Sequence, residues 1–452
     1  MAKKLFGTDG IRGAAGQYPL DPKTTHAFGV ALGNVARHLG SDPQIVIGMD
    51  TRESSPWIAG QVAGGLREAN VGVRFAGVVT TPGVAFLTHT DSFVAGVMIS
   101  ASHNPYQDNG LKVFGHSGYK LPDAEEHAIE EEIFRLLQNG VTPASAELRV
   151  DEALDRRYVD KLLSTVSKSF HGIKLVLDCG NGASSALAPE LFRRAGADVE
   201  TLCCSPDGRN INLGCGALHL EPLQRAVLES KADAGVAFDG DADRAIFVSR
   251  SGRIIDGDAV LLIAARALLA AGRLPKKLVV ATVMSNLGLE KALERDGVRF
   301  ARTVVGDKYV LEEMLRSGAA LGGEQSGHII FTDYSTTGDG MLTALKILDI
   351  VASSRLGLDE LTADLKTYPQ RLVNVRVREK KTLSDLPSVA KEVSDCEAAL
   401  GDSGRVLVRF SGTEPLARVM VEAADQRQVD EFTTRIAGAI EREIGYQNAA
   451  NG

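Results

Sequence analysis

No run in this 452-residue chain is apolar for long enough to cross a bilayer. The longest such stretch, Ala259 to Gly272, is broken by Arg266 and reads as a buried helix. The first residues, Met1-Ala-Lys-Lys-Leu-Phe-Gly-Thr-Asp, turn polar before the apolar core of a signal peptide can form, so secretion is not expected. An excess of positive charge is also missing: 50 Lys and Arg face 58 Asp and Glu, a formal net charge of −8. That balance argues against a nucleic acid or an anionic membrane as the main partner and leaves room for a local basic pocket around a small anion. Cysteines are few and odd in number, the five being Cys179, Cys203, Cys204, Cys215 and Cys396, and none lies in a C-x-x-C pair of the zinc-ribbon kind. Reduced, cytoplasmic thiols are the simplest reading. No low-complexity linker interrupts the chain.

What is present is a 44% hydrophobic content, enough to fill the two to four domains that this length implies. Short β-rich runs (44–49, 72–78, 93–99, 174–178, 234–238, 277–283) alternate with amphipathic helical patterns, which predicts mainly parallel α/β sheets. Three such blocks span 1–152, 153–256 and 257–367, with turn formers at Gly252–Gly257 and Tyr368-Pro369 as seams. The last block, 368–452, has another order: a strand at 372–377, a helix near 386–400, strands at 406–410 and 418–422, and a helix over 428–444. It reads as a small α+β domain.

The chemistry-bearing segments lie between these elements. Ser100-Ala101-Ser102-His103-Asn104-Pro105 caps the apolar run Phe93–Ile99, and Pro105 stiffens a tip with two hydroxyls and an imidazole. Such a tip is more commonly a hydrogen-bonded loop than a nucleophile, and the other loops reverse that expectation. Asp239-Gly240-Asp241-Ala242-Asp243-Arg244 also follows an apolar run and sets three carboxylates at i, i+2 and i+4, on one side of an extended backbone. Their repulsion calls for a cation with oxygen ligands, Mg²⁺ or Ca²⁺, and the lack of an EF-hand's length and glutamate favours Mg²⁺ over both Ca²⁺ and a solvated acidic turn.

Arg409-Phe410-Ser411-Gly412-Thr413-Glu414-Pro415, with Arg418 beyond, has the composition of a phosphate cradle or of an ordinary loop with exposed arginines. Gly323-Glu324-Gln325-Ser326-Gly327-His328 offers the alternating donors and acceptors that a sugar ring pairs with. Gly7–Gly13 reads as a glycine-rich turn bearing Arg12. Asn109-Gly110-Leu111-Lys112 brings a lysine a short loop from Ser102, either as a salt-bridged group or as a base if a dry, cationic setting lowers its pKa. Gly401-Asp402-Ser403-Gly404 spells a serine-protease tetrapeptide without the fold for it, and Gly180-Asn181-Gly182-Ala183 lacks the third glycine of a dinucleotide loop. Both read as turns.

These loops, in this order, resemble the α-D-phosphohexomutase superfamily, from Phe6-Gly-Thr-Asp-Gly-Ile-Arg-Gly13 to Arg418-Val-Met-Val-Glu422. The resemblance implies an α/β enzyme, heart-shaped around a central cleft, with three related mixed α/β domains and a smaller C-terminal α+β domain. By the same match Ser102 carries a phosphoryl group, and Asp239, Asp241 and Asp243 hold Mg²⁺ together with it. Glu324 and Ser326 grip sugar hydroxyls. Arg409, Ser411, Gly412, Thr413 and Arg418 hold the phosphate that does not react. Arg12, Lys112 and His328 line the reacting centre, Lys112 and His328 as acid/base candidates, and His103 joins them as the serine's neighbour.

Gln325 stands where phosphomannomutases and phosphoglucomutases typically carry methionine. It points to interconversion of glucosamine 6-phosphate and glucosamine 1-phosphate, on the route to UDP-N-acetylglucosamine and cell-wall precursors. A hexosamine 1,6-bisphosphate would serve as intermediate and activator. The implied partners are small-molecule sugar phosphates, with no nucleic acid and no membrane, and the expected protein is a cytoplasmic monomer or homodimer. Phe410 departs from the family's usual proline, and Cys215-Gly-Ala-Leu-His-Leu-Glu221 departs from Cys-Gly-Ser-Thr-His-Pro-Glu. A phosphomannomutase or phosphoglucomutase of the same chemistry, a non-catalytic sugar-phosphate sensor and a metal-dependent sugar phosphatase remain as alternatives.

Overall fold

Apolar runs bounded by turn formers become strands in four sheets of the computed structural model, which describes residues 5–7, 9–379, 381–411 and 415–446. The first sheet contains β1 (Phe6–Gly7), β2 (Gly10–Ala14), β3 (Gln44–Met49), β4 (Gly72–Val78), β5 (Phe93–Ile99) and β6 (Asp108–Gly115), in the order β1-β2-β6-β5-β3-β4. The second contains β7 (Lys174–Asp178), β8 (Asp198–Leu202), β9 (Ala234–Phe238), β10 (Ala245–Ser249) and β11 (Ile254–Ile255), in the order β11-β10-β9-β7-β8. The third contains β12 (Leu278–Thr282), β13 (Arg299–Thr303), β14 (Leu321–Gly323) and β15 (Ile329–Phe331), in the order β13-β12-β14-β15. No helix among the described residues is long and apolar enough to cross a membrane.

All three sheets share one plan. Three parallel strands (β4-β3-β5, β8-β7-β9 and β13-β12-β14) are followed by an antiparallel neighbour (β6, β10 and β15). The expectation of mainly parallel sheets is thus corrected to mixed ones, because short polar connections can only return the chain antiparallel to the strand it leaves. Those returning connections are the Ser102 loop, the tri-aspartate loop and the Glu324 loop. The repetition expected from architecture therefore has a functional content: each of three sheets delivers a chemical loop from the carboxyl end of its last parallel strand, where α/β sheets bind ligands.

Two chemistry-bearing segments outside the sequence-predicted strands are strand-forming. Asn109–Lys112 lies in β6, with Lys112 opposite Met98 of β5, and Gly7 pairs with Gly10 where β1 meets β2. Glycine-rich sequence hid both, since glycine weakens the strand signal even where neighbouring backbones need the room. The stretch read as a buried helix forms one over Gly257–Ala270, buried continuously to Ala265.

The chain forms two compact units, residues 1–284 with 297–363, and residues 285–296 with 364–452. The second unit holds the antiparallel sheet β16 (Gln370–Arg376), β17 (Gly404–Phe410) and β18 (Leu416–Ala423), in the order β16-β18-β17, covered by helices Pro387–Leu400 and Gln426–Ile444. The segment 285–296 belongs to this unit. Leu287 N donates to the buried Glu422 Oε1 at 3.0 Å, and Arg405 reaches both Glu422 Oε2 and Ser285 O. Nothing in its amphipathic helical pattern distinguishes this segment from the helices around it.

Candidate active site

The loop after β5 holds Ser102 in a left-handed conformation (φ 52°), with its side chain almost wholly buried. Its rigidity comes less from Pro105 than from Arg52, a fully buried guanidinium paired to Asp50 at 2.8 Å. Arg52 donates to the carbonyls of Ser102, Asn104, Pro105 and Asp108, so four carbonyls of the loop hang on one planar group. Asp50 also accepts from Ser100 Oγ at 2.6 Å, and Ser100 Oγ in turn accepts from Ser102 N at 2.9 Å.

Ser102 Oγ donates to Asp239 Oδ2 at 2.6 Å and lies 3.4 Å from His103 Nδ1. Gly240 is required for this approach: a Cβ there would sit 2.5 Å from Ser102 O. One carboxylate oxygen from each of Asp239, Asp241 and Asp243 lies within 4.8 Å of the others, and all three residues are buried. Burial and the charges of Asp243 and Asp241 push the Asp239 carboxyl well above the usual range. Asp241 Oδ1 and Asp243 Oδ1 are buried and have no hydrogen-bond partner among the described residues. Repelling carboxylates with orphaned oxygens fit a hard cation such as Mg²⁺.

Around them runs a chain of alternating charge. Lys112 Nζ lies 2.9 Å from Asp241 Oδ2, 3.1 Å from Asp9 Oδ2 and 3.7 Å from Asp243 Oδ2. Lys120 pairs with Asp9 and, at 2.6 Å, with Asp307. Although burial opposes it, these carboxylates raise the Lys112 pKa, so the cationic setting that a basic lysine needs is absent. Among these carboxylates Lys112 is held protonated. His328 closes the chain, with Nδ1 3.6 Å from Asp243 Oδ2 and Nε2 3.9 Å from Asp307 Oδ2. Gly338 N donates to His328 Nε2 at 3.1 Å, leaving Nδ1 to carry the proton toward Asp243. Burial works against protonation, but Asp243, Asp307 and Glu324 raise its pKa overall. His103 goes the other way: burial, then Arg244 and Arg12, lower it to about 4, so it is neutral at pH 7.

Beside Ser102 opens a cavity of about 400 Å³ bounded by Arg12, His103, Asp243, Arg244, Glu324 and His328, with Asp9 and the loop Val305-Gly306-Asp307 completing the wall. The Nε atoms of Arg12 and Arg244 are buried and make no hydrogen bond among the described residues, Arg244 Nε lying 3.8 Å from Asp243 Oδ1, which suits an arriving anion. A neighbouring recess of about 600 Å³ shares His103, Arg244, Val305 and Glu324 and adds Gln325, Ser326 and Leu218. Glu324 is oriented by Gly306 N, which donates to Oε1 at 3.1 Å, and by Ser326 Oγ, which donates to Oε2 at 3.4 Å. Gln325 Nε2 donates to Asp256 Oδ2 at 3.1 Å. The altered loop 215–221 thus has a location, with Leu218 walling the recess that Gln325 enters.

Four family models for the phosphoglucomutase/phosphomannomutase domains match in succession: the alpha/beta/alpha domain I over residues 3–139, domain II over 156–252, domain III over 256–368 and the C-terminal domain over 372–439. The chain belongs to the phosphoglucomutase/phosphomannomutase family. Among relatives, a phosphoglucosamine mutase of Solibacter usitatus is 66% identical over 445 residues, covering 98% of this chain and 100% of that protein. One from Lysinibacillus sphaericus is 47% identical, covering 98% and 99%. A phosphoglucomutase/phosphomannomutase family protein from Burkholderia thailandensis has the same fold, with a TM-score of 0.79, 24% identity and coverage of 97% and 99%. An Aspergillus fumigatus N-acetylphosphoglucosamine mutase, solved with GlcNAc-6P and magnesium, aligns with a TM-score of 0.63, 20% identity and coverage of 97% and 96%.

Of the residues singled out from sequence, this phosphoglucomutase/phosphomannomutase chain gathers Arg12, Ser102, His103, Lys112, Asp239, Asp241, Asp243, Glu324, Gln325, Ser326 and His328 about two adjoining recesses. Arg409 and Arg418 belong to the second unit, directly opposite one another on β17 and β18. Burial and the Arg418 charge lower the Arg409 pKa. Like charges so paired are destabilising until an anion joins them. Ser411 is nearly buried and follows β17, whereas Gly412 and Thr413 lie outside the described residues.

Sequence reasoning missed Arg52, Asp50, Lys120, Asp9 as a partner of both lysines, and the loop Val305-Gly306-Asp307. Arg52, Asp50 and the Val305-Gly306-Asp307 loop had a usable signal. Asp50-Thr51-Arg52 follows the apolar run of β3, and Val304-Val305-Gly306 leaves two valines exposed at a strand end.

Proposed function

We propose that this protein is a phosphoglucosamine mutase, interconverting glucosamine 6-phosphate and glucosamine 1-phosphate through a phosphoserine at Ser102 and a 1,6-bisphosphate intermediate. The observation that carries the reading is the 2.6 Å contact between Ser102 Oγ and Asp239, within a tri-aspartate cluster and at the mouth of a polar cavity. The amino-sugar substrate rests on the 66% and 47% identical relatives, both phosphoglucosamine mutases over nearly their full lengths.

O1 and O6 of a pyranose cannot meet, so a carrier must move the phosphoryl group between them. With Ser102 phosphorylated, the P–Oγ bond breaks as a P–O1 bond forms, and the O1 proton leaves to a neighbouring base. The bisphosphate turns over, and its 6-phosphoryl group returns to Ser102 Oγ, leaving the 1-phosphate. His103, neutral and 3.4 Å from Ser102 Oγ, accepts the proton of the attacking hydroxyl and passes it to the departing Ser102 Oγ. In the return step Ser102 Oγ gives up that proton, and the leaving O6 takes one from His328, which Gly338 N and the Asp243 carboxylate hold and which the serine proton recharges. Arg12, Arg244 and the protonated Lys112 supply positive charge where phosphoryl oxygens arrive. Asp239, Asp241 and Asp243 would hold Mg²⁺, which when bound offsets charge on the transferring group.

Glu324 and Ser326 take sugar hydroxyls, Gln325 faces the amino-sugar side, and Arg409, Ser411 and Arg418, with Gly412 and Thr413, grip the phosphate at rest. The domains are 1–152, 153–256, 257–367 and 368–452, and the enzyme works in the cytoplasm.

The test is ³¹P NMR of the protein with Mg²⁺, a trace of hexose 1,6-bisphosphate and, separately, glucosamine, glucose and mannose 6-phosphates. Fastest growth of a 1-phosphate signal from glucosamine 6-phosphate is expected. Fastest growth from glucose or mannose 6-phosphate overturns the substrate, and release of free phosphate alone overturns the mutase.

A further inference from the structure

Sequence spacing excluded a zinc site of the C-x-x-C kind, yet the fold assembles thiols from separate segments. Asp178 ends β7, Cys203 follows the parallel neighbour β8, and Cys215 precedes the turn Gly216–Leu218. One ligand atom of each lies within 4.8 Å of the other two; Asp178 and Cys215 are buried, and Cys203 is half-buried. Cys179 and Cys204 form a second thiol pair alongside, and Cys204 Sγ is 3.2 Å from Leu202 O. All these thiols are unbridged.

We propose that Asp178, Cys203 and Cys215 form a second metal site, for a thiophilic divalent cation of the Zn²⁺ class, distinct from the hard-cation site of the three aspartates.

Three features favour a metal over a simple polar cap. Asp178 Oδ1 accepts from Gly180 N at 2.9 Å and Oδ2 from Gly216 N at 2.9 Å, which fixes the carboxylate plane while leaving each oxygen a second lone pair. That is how outer-shell bonds orient a metal-binding carboxylate. Tetrahedral Zn²⁺ with thiolate and carboxylate ligands sets its donor atoms roughly 3.5 Å apart, a small closure from the spacing present. Two sulfurs among three donors select a soft or borderline metal against Mg²⁺ and Ca²⁺.

A disulfide is the competing fate of Cys203 and Cys215. Cys203 and Cys215 are both free thiols in the folded chain, available to share a cation. The Asp178 carboxylate becomes a ligand once a cation displaces the two thiol protons to solvent. The fourth position is left to water.

The site braces the catalytic loops from behind. Cys203 O accepts from Asn181 N at 2.6 Å, and Gly180 O accepts from Asn212 N at 2.8 Å. Asn212 Nδ2 then donates to Ser102 O at 2.9 Å and Asn104 O at 3.1 Å. Metal binding is therefore expected to raise the melting temperature of the whole protein.

The test uses the reduced, metal-stripped protein with excess Mg²⁺, titrated with Co²⁺ and then Zn²⁺. A thiolate-to-cobalt charge-transfer absorption that saturates at about one equivalent and is displaced by Zn²⁺ is expected. Cys203→Ser, at a half-exposed position where the fold is under least threat, loses the band, as does Asp178→Asn, whereas Asp243→Asn keeps it. No charge-transfer band in the unaltered protein, or an undiminished band in a folded Cys203→Ser variant, overturns the proposal. So does a Cys203–Cys215 disulfide in the isolated protein that takes up no Co²⁺ after reduction.

Discussion

Ser102 Oγ donates to Asp239 Oδ2 at 2.6 Å across 137 residues of sequence. The hydroxyl that is to carry the phosphoryl group and the first carboxylate of the metal loop thus come from equivalent connections of two related sheets. Gly240 lets the two backbones approach closely enough for that bond.

Replacing Ser102 by Ala leaves the loop in place, because Arg52 and Asn212 hold its carbonyl and not its hydroxyl. Turnover of glucosamine 6-phosphate is expected to fall at least ~10⁴-fold, as for removal of other covalent nucleophiles, with the circular dichroism spectrum unchanged. Turnover near that of the unaltered protein would remove Ser102 from the reaction.

Arg52→Met removes the guanidinium from a fully buried pair and leaves Asp50 charged among unsatisfied carbonyls. The cost is about 3–5 kcal/mol. It is read as a lowered urea midpoint, together with lost activity although Arg52 does not line the cavity. An unchanged midpoint would mean that Pro105 alone suffices to hold the loop.

Chelation with EDTA is expected to stop turnover, and added Mg²⁺ to restore it. Asp239→Asn should lower activity by ~10²-fold or more. In the metal-free protein the same change should raise the melting temperature, because it removes a carboxylate that burial, Asp243 and Asp241 all oppose. A lower melting temperature in the stripped variant would contradict the repulsion from which the cation is inferred.

Asp339 accepts from Tyr158 OH at 2.8 Å and from Leu342 N at 2.9 Å, and burial raises its pKa from 3.8 to about 6. Between those values the folded protein keeps a proton that the unfolded chain has released. This contribution to stability is present in full below the lower value and is lost as pH rises through the upper one. The loss amounts to roughly 3 kcal/mol. Urea midpoints taken from about pH 4 to 7 should show a slope that Asp339→Asn reduces. Equal slopes in both proteins would place the Asp339 pKa near its ordinary value.

The strands and the loops between them were legible because their signals are local. An apolar run followed by a polar, glycine-bearing tip identified the Ser102, Asp239 and Glu324 connections, and β3, β4, β5, β7 and β9 fall on the runs that predicted them. Spacing also put three carboxylates on one side of the chain, and the tertiary structure keeps them together. Where glycine diluted the pattern, in β2 and β6, the reading failed, and with it the setting of Lys112.

Other features took their meaning from residues distant in the chain. Lys120 lies among ordinary surface-type residues in sequence, and its meaning comes from Asp9 and Asp307, far away in the chain. Arg52 became the clamp of the Ser102 loop only when β3 and β5 paired. Cys203 met the Asp178 carboxylate only when β7 and β8 aligned, and Cys215 only when Gly216 N bonded to it. The sequence by itself determined which residue types stand at each strand end, since backbone propensity and hydrophobic period act over a few residues. Tertiary structure alone decided which charges face one another, because Coulomb energy and desolvation depend on distance and burial in space, and both are set by the packing of segments distant in the chain.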